Sequence, residues 1–150
     1  LGFLLDRTAA IWRGPMLSSA INQIYEKTNW GDLDYLLIDM PPGTGDAYLT
    51  VCQKIIPDYV ILVTTLSKLS IADLQRSERV FESLNTEILG IVLNNIHQSD
   101  ELGSFDLESE NLILDRVEFN EKFIDLVYPF DDLELDTVFI NTIKAIKEHE

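Results

Sequence analysis

A single cysteine, Cys52, among 150 residues leaves no internal disulfide and no multi-cysteine metal site within one chain. Basic residues are also scarce: 11 Lys and Arg stand against 26 Asp and Glu, a formal net charge of −15. That balance argues against nucleic acid or an anionic membrane as a partner recognised through bulk electrostatics, so any phosphate ligand needs a local site. No apolar run approaches the roughly 18 residues of a membrane span, and the start lacks the basic, then apolar, then small-residue order of a signal peptide. A cytoplasmic location is the expectation. Internal repeats and low-complexity tracts are missing too. What is present is ordinary globular composition, 46% hydrophobic and 25% charged, and a chain of this size buries roughly 68 to 70% of its unfolded surface without staples. The acid is uneven: residues 100–150 hold 15 acids and four bases, against 11 acids and seven bases in residues 1–99. The chain opens Leu1-Gly2-Phe3-Leu4-Leu5, apolar, strand-like and without Met, which reads as a start inside a larger domain and therefore as a fragment.

Three short runs, residues 35–39, 59–65 and 88–94, are apolar on consecutive positions instead of alternating. Such runs suit strands buried on both faces, as in a parallel sheet. Between them the spacing is helical. Leu17, Ala20, Ile21, Ile24 and Tyr25 form one stripe, with Pro15 acceptable at the first helical position. Ile71, Leu74, Phe81 and Leu84 give a second stripe, and Val138, Phe139, Thr142, Ile143 and Ile146 a third. Strands alternating with helices imply an α/β fold with a doubly wound, mostly parallel sheet. Residues 97–111 are polar, acidic and weakly patterned, and read as a long loop or boundary.

The segment Tyr35-Leu36-Leu37-Ile38-Asp39-Met40-Pro41-Pro42-Gly43-Thr44-Gly45-Asp46 carries the most chemistry. Four buried-type residues deliver Asp39 to a strand end, and two prolines forbid continuing a central strand. In open parallel sheets ligands collect at the carboxyl ends of strands, where an Asp commonly holds hydrated Mg2+ beside a nucleotide. Gly43 and Gly45 remove side chains, so backbone N–H groups can approach a terminal phosphate, and Asp46 is a reasonable N-cap for the next helix. A Pro-Pro-Gly turn with an incidental Asp is the competing reading, and spacing alone does not decide between them.

Trp12-Arg13-Gly14-Pro15-Met16, then Trp30-Gly31-Asp32-Leu33-Asp34-Tyr35, then residues 38–46 closely resemble the Mrp/ApbC family of iron-sulfur cluster carrier ATPases, P-loop NTPases with a deviant Walker A motif related to the MinD and ParA proteins. Val63-Thr64-Thr65 and Leu89-Gly90-Ile91-Val92-Leu93-Asn94 extend the likeness in the right order. The resemblance covers residues 1–94 strongly and the acidic remainder, 95–150, weakly, so the expectation is one partial P-loop NTPase domain over 1–150. It implies ATP binding and hydrolysis, homodimers or pairing with an N-terminal half, a bridging [4Fe-4S] cluster, and iron-sulfur client proteins. By the same resemblance Asp39 matches the Walker B aspartate that orients Mg2+ through water, and Pro42, Gly43, Thr44 and Gly45 match the loop that senses the γ-phosphate. Thr65 matches a polar position near the nucleotide. Asn94 matches an asparagine whose amide can both donate to and accept from an adenine edge, although Asn is also ordinary in a strand-end turn. Asp73 and Arg76 align with polar helix residues, but three apart they equally suit a solvated pair. Arg13 is a phosphate or dimer candidate, with a surface salt bridge as its alternative.

Two departures stand beside the likeness. No Lys follows a Gly anywhere in the chain, so the lysine-bearing phosphate cradle and the strand before it are expected to be lacking. Where the family has Cys-x-x-Cys, this sequence reads Asn95-Ile96-His97-Gln98-Ser99-Asp100. Cluster ligation requires thiolates; by the resemblance Cys52 aligns with a helix position where the family needs none, so a small buried hydrophobe is its expected role, and His97 could be a ligand, although a lone His in a polar loop is more often just exposed. A degenerate paralogue acting as an interaction module is the alternative to the ATPase.

Overall fold

The computed structural model describes residues 14–40, 45–95, 109–118 and 138–149. The chain divides into two compact units, Leu1–Pro57 and Asp58–Glu150.

In the first unit the stripe headed by Leu17 becomes helix α1, Gly14–Lys27, with Leu17, Ala20, Ile21 and Tyr25 half-buried. Its end is closed by side chains. The Thr28 hydroxyl donates to the Ile24 carbonyl at 2.5 Å, beside the Thr28 N–H that the same carbonyl accepts at 3.2 Å, and the Trp30 indole N–H donates to the Tyr25 carbonyl at 2.9 Å in the last turn, where the helix leaves carbonyls open. Helix α2, Asp46–Thr50, runs directly into a π-helical turn, Val51–Ile55. That wide turn closes when the Ile56 N–H donates to the Val51 carbonyl at 3.1 Å, with Ile56 left-handed at φ 55° and Pro57 unable to prolong the helix. Thr50 donates to the Ser18 hydroxyl at 2.6 Å, tying α2 to α1. Tyr48, Val51 and Cys52 are buried beside this tie, so Cys52 has the small-hydrophobe role its sequence position implied.

The second unit is built on three parallel strands in the order β1 (Tyr59–Thr64), β2 (Glu87–Asn94), β3 (Ile113–Val117). Parallel neighbours need crossovers. The first is α3, Lys68–Ser83, opened by Ser67, whose extended backbone lets its hydroxyl accept the Ser70 N–H at 3.1 Å, a cap worth about 1 kcal/mol. Its end is turned by Asn85, left-handed at φ 53°, while the Thr86 N–H donates back to the Phe81 carbonyl at 3.0 Å. Leu74 and Phe81 bury one face of α3, and α3 packs on β1 and β2. A last helix, α4, Ile140–Glu148, packs on β3 and β2.

Strand β2 is central, and its residues 90–93 are buried on four consecutive positions, the pattern expected of a strand covered on both faces. Ile91 is fully buried. The same expectation fails for β1, where Leu62 and Thr64 are buried but Val63 is 66% exposed. Among the described residues β1 stands at the edge of the sheet, and a strand packed on one face alternates. Strand β3 did not stand out in the sequence because Asp115 and Arg116 interrupt its apolar positions. Register shifts lie between Val60 and Ile61 and between Ile91 and Val92. Beside them Gly90 has φ 154°, and a Cβ there would stand 2.5 Å from the Leu112 carbonyl oxygen and 2.7 Å from Leu114 Cγ. Only glycine fits this close approach.

The run at 35–39 is corrected by the structure. Residues 35–40 have no regular secondary structure, and Tyr35, Leu36 and Leu37 are exposed, Leu37 at 85%. Apolar side chains do not make a strand unless a neighbour completes the backbone ladder, and among the described residues no strand pairs with this segment.

Candidate functional site

Asp39 lies in that irregular segment of the first unit and is exposed. The expected strand end beneath it is not formed. Pro42, Gly43 and Thr44 lie outside the described residues, as do Arg13 and His97. Gly45 is exposed and stands immediately before α2, and its carbonyl accepts the Leu49 N–H at 3.0 Å. That bond makes Gly45 the backbone cap of α2 and Asp46 its first helical residue, one position later than an N-cap.

In the second unit two of the expected positions come together. The β1–β2 register pairs Thr64 with Leu93, so Thr65 and Asn94 follow side by side at the carboxyl edge of the sheet, the edge where open parallel sheets bind ligands. Thr65 is half-buried and engaged locally. Its hydroxyl donates to Ser70 Oγ at 2.8 Å and accepts the Ser67 N–H at 3.4 Å, while Ser67 and Ser70 share a hydroxyl bond of 2.8 Å. Three hydroxyls therefore sit where β1 turns into α3. Sequence reading found Thr65 but passed over Ser67 and Ser70, although a Ser three residues before another at a helix start is a capping signal.

Next to Asn94 the edge continues into β3. Asn94 is the register partner of Val117, the Asn95 backbone N–H donates to the Val117 carbonyl at 2.8 Å, and Asn95 Nδ2 donates to Glu118 Oε2 at 3.0 Å. Asn95 and Glu118 were not picked out from sequence, because two polar residues at opposite ends of a polar, acidic stretch carry no spacing signal. Asp73 and Arg76 form a bond of 2.6 Å with both side chains more than half exposed, the solvated pair that their spacing allowed.

Two buried carboxylates hold the scaffold behind this edge. Glu78 on α3 accepts from the Ser109 hydroxyl at 2.5 Å and the Asn111 amide at 2.8 Å, fastening the chain that leads into β3. Asp115 on β3 caps α4: Oδ2 accepts the Thr142 hydroxyl at 2.6 Å and the Thr142 N–H at 2.7 Å, and Oδ1 accepts the Asn141 side-chain amide at 2.9 Å and its N–H at 3.3 Å. Burial pushes the Asp115 carboxyl up, but the bonds from Thr142 and Asn141 together outweigh it and hold the group below the ordinary Asp range.

Four thiolates do not fit this chain's own residues. Cys52 is its one cysteine, it is buried on the π-helical turn, and burial pushes its thiol up, away from the thiolate that iron requires. Among the described residues no group of three or more His, Cys, Asp or Glu could hold a metal ion, and no helix is long and apolar enough to cross a membrane. An exposed Asp39 suits a hydrated Mg2+, which needs only one or two carboxylates and keeps most of its waters.

Comparison with known proteins matches residues 1–102 to the ParA family model, described as NUBPL iron-transfer P-loop NTPase. An iron-sulfur cluster carrier protein of Rickettsia conorii is 50% identical over 92 residues, 61% of this chain and 29% of the relative. Another, from Methanocaldococcus jannaschii, is 49% identical over 98 residues, 63% of this chain and 33% of the relative. The matched stretch thus spans about a third or less of these relatives' length. Among solved structures, the cell division ATPase MinD of Pyrococcus furiosus superposes with a TM-score of 0.65 at 19% identity, covering 92% of this chain and 60% of that one. The MinD cell division protein of Aquifex aeolicus gives 0.59 at 17% identity, covering 94% and 63%. At such identity the likeness concerns the fold, an α/β arrangement of P-loop NTPase type. With the family model matched over more than half its length, this chain belongs to the ParA family, among the NUBPL iron-transfer P-loop NTPases.

Proposed function

We propose that this chain is the Walker B and base-side part of an ATP-driven iron-sulfur cluster carrier of the Mrp type. The reading is carried by the Asp39-Met40-Pro41-Pro42-Gly43-Thr44-Gly45 segment lying within the family match over residues 1–102. In this reading Asp39 holds hydrated Mg2+, which when bound neutralises charge on the terminal phosphates. Pro42, Gly43, Thr44 and Gly45 form the loop facing the γ-phosphate, Thr65 lies near the nucleotide, and Asn94 reads the base. Residues 1–150 form one partial P-loop domain that works in the cytoplasm, as a homodimer or with an N-terminal half supplying the phosphate cradle. The cluster is cargo for client proteins, with thiolates from outside this chain. A second reading, an interaction module without catalysis, is favoured by one observation: residues 35–40 are irregular and expose Leu37.

One experiment separates the two. Joining the upstream part of an iron-sulfur carrier relative to this chain should create an ATPase, and Asp39→Asn should lower its turnover by about 10- to 100-fold while changing nucleotide affinity little, since the charge acts on Mg2+ more than on binding. A hybrid without ATPase activity supports the interaction module. Equal turnover with Asn at position 39 overturns the assignment of Asp39.

A further inference from the structure

We propose that His149 is a proton-operated latch that fastens the end of α4 to the amino-terminal edge of the sheet. Tyr59 and Glu87 open β1 and β2 and are register partners, so they lie at the opposite end of these parallel strands from Thr65 and Asn94. His149 directly follows α4 and meets both. The Tyr59 hydroxyl donates to the His149 carbonyl at 3.0 Å, and the two rings stand edge to face with centroids 5.4 Å apart. The imidazole itself lies between two acceptors. Nδ1 is 2.8 Å from the Ala145 carbonyl oxygen, and Nε2 is 3.4 Å from Glu87 Oε1. A carbonyl oxygen only accepts, so the bond to Ala145 keeps a proton on Nδ1 and leaves the lone pair of a neutral ring on Nε2, facing a carboxylate. The titrating proton therefore goes on and off beside Glu87. Its arrival turns a repulsion into a charge contact, and the cation also suits the negative end of α4. Lys144 and Glu148 on α4 pair with each other at 3.6 Å, while Lys147, and Asp58 next to Tyr59, are exposed, so Glu87 is the charge that the ring meets. Asp115 thus holds the start of α4 and His149 its finish. The latch is engaged when the ring is charged and is released as rising pH removes the proton.

Two measurements on the full 150-residue chain test the latch. Imidazole nitrogen NMR at about pH 8.5, above the ordinary histidine range, should show the His149 ring carrying its proton on Nδ1, with the signal assigned by its loss in H149Q. Hydrogen exchange of the amides of residues 145–149, each rate divided by the intrinsic rate at its pH, should show more protection at about pH 5.5 than at about pH 8.5. The side chains of His149 and Glu87 are 38% and 58% exposed, so water screens the contact and the expected gain is about two- to fivefold. Glu87→Gln keeps the shape and removes the charge, and should retain only the part of that gain owed to the helix end. Asp115, held below the ordinary Asp range, stays ionised throughout this window, so the cap at the other end of α4 does not contribute. A proton on Nε2 in the neutral ring, equal protection at the two pH values, or an undiminished difference in Glu87→Gln overturns the proposal. Neither measurement involves nucleotide, so both are read independently of Asp39.

Discussion

Residues 35–40 and strand β2 are nearly the same kind of sequence, short apolar runs closed by polar residues, yet they end in opposite states. In β2, Ile91 is fully buried and the ladder is occupied on both sides, by β1 and by β3. In 35–40 the backbone is irregular and Leu37 is 85% exposed. Composition cannot be the difference. An apolar run has a favourable transfer energy waiting in either case, roughly 1.5–3 kcal/mol per large side chain, but a strand forms only where neighbours accept and donate along its backbone. The sheet therefore teaches that apolarity states what would gain from burial, while ladder partners decide whether it becomes a strand.

The comparison breaks most easily in the sheet itself. Gly90→Ala places a Cβ 2.5 Å from the Leu112 carbonyl oxygen at a φ of 154°, and should cost about 3 kcal/mol or more through strain and overpacking. Urea unfolding checks this, and a loss below about 1 kcal/mol would mean that the β2–β3 approach is looser than described.

Asp115→Ala should cost roughly 2–3 kcal/mol, because it strips a buried cap from Thr142 and Asn141. The sign of its pH dependence follows from the lowered carboxyl. Its stabilising contribution is fully present above the ordinary Asp value of about 3.9 and is lost as pH falls through the lower folded value. Hydrogen exchange in α4 should show this acid loosening in the parent and not in Asp115→Asn. The same acid profile in both would remove Asp115 from the account.

Within the first unit, Cys52 distinguishes a packed core from an open one. A buried thiol pushed up by desolvation should react with iodoacetamide at least about 10-fold more slowly in the native chain than in urea, and Cys52→Ala should cost about 1 kcal/mol. Equal labelling rates would make the α1–α2 pair as open as 35–40. The smallest effect is expected at Leu37. Leu37→Ser should change stability by less than about 0.5 kcal/mol, as for an exposed site, and a loss above about 2 kcal/mol would mean that the run is buried after all.

The five helical and strand segments that proved legible were those where one local rule suffices. The stripes from Leu17 to Tyr25 and from Ile71 to Leu84 have a helical period, residues 59–64 and 88–94 are dense in β-branched side chains, and residues 140–148 repeat Thr142 and Ile146 on one face. The site was legible in part: Thr65 and Asn94 do end neighbouring strands, as their places after two apolar runs required. Asp39 shows the limit, since its run obeyed the same rule as β2 and no ladder formed.

What the sequence determined by itself is the class of the fold, the helix and strand periods, the acidic surface, and the absence of four thiolates, because each depends on residue identity and near spacing. Tertiary structure decided the rest. Asp115 is charged and lies mid-strand, so local rules count it against a strand, and only the arrival of Asn141 and Thr142 from 26 and 27 residues away makes its burial tolerable. Glu118 meets Asn95 across 23 residues for the same reason. Long-range hydrogen bonds join groups whose separation no periodicity encodes, so the partners of a buried or paired carboxylate become visible only when the chain has folded.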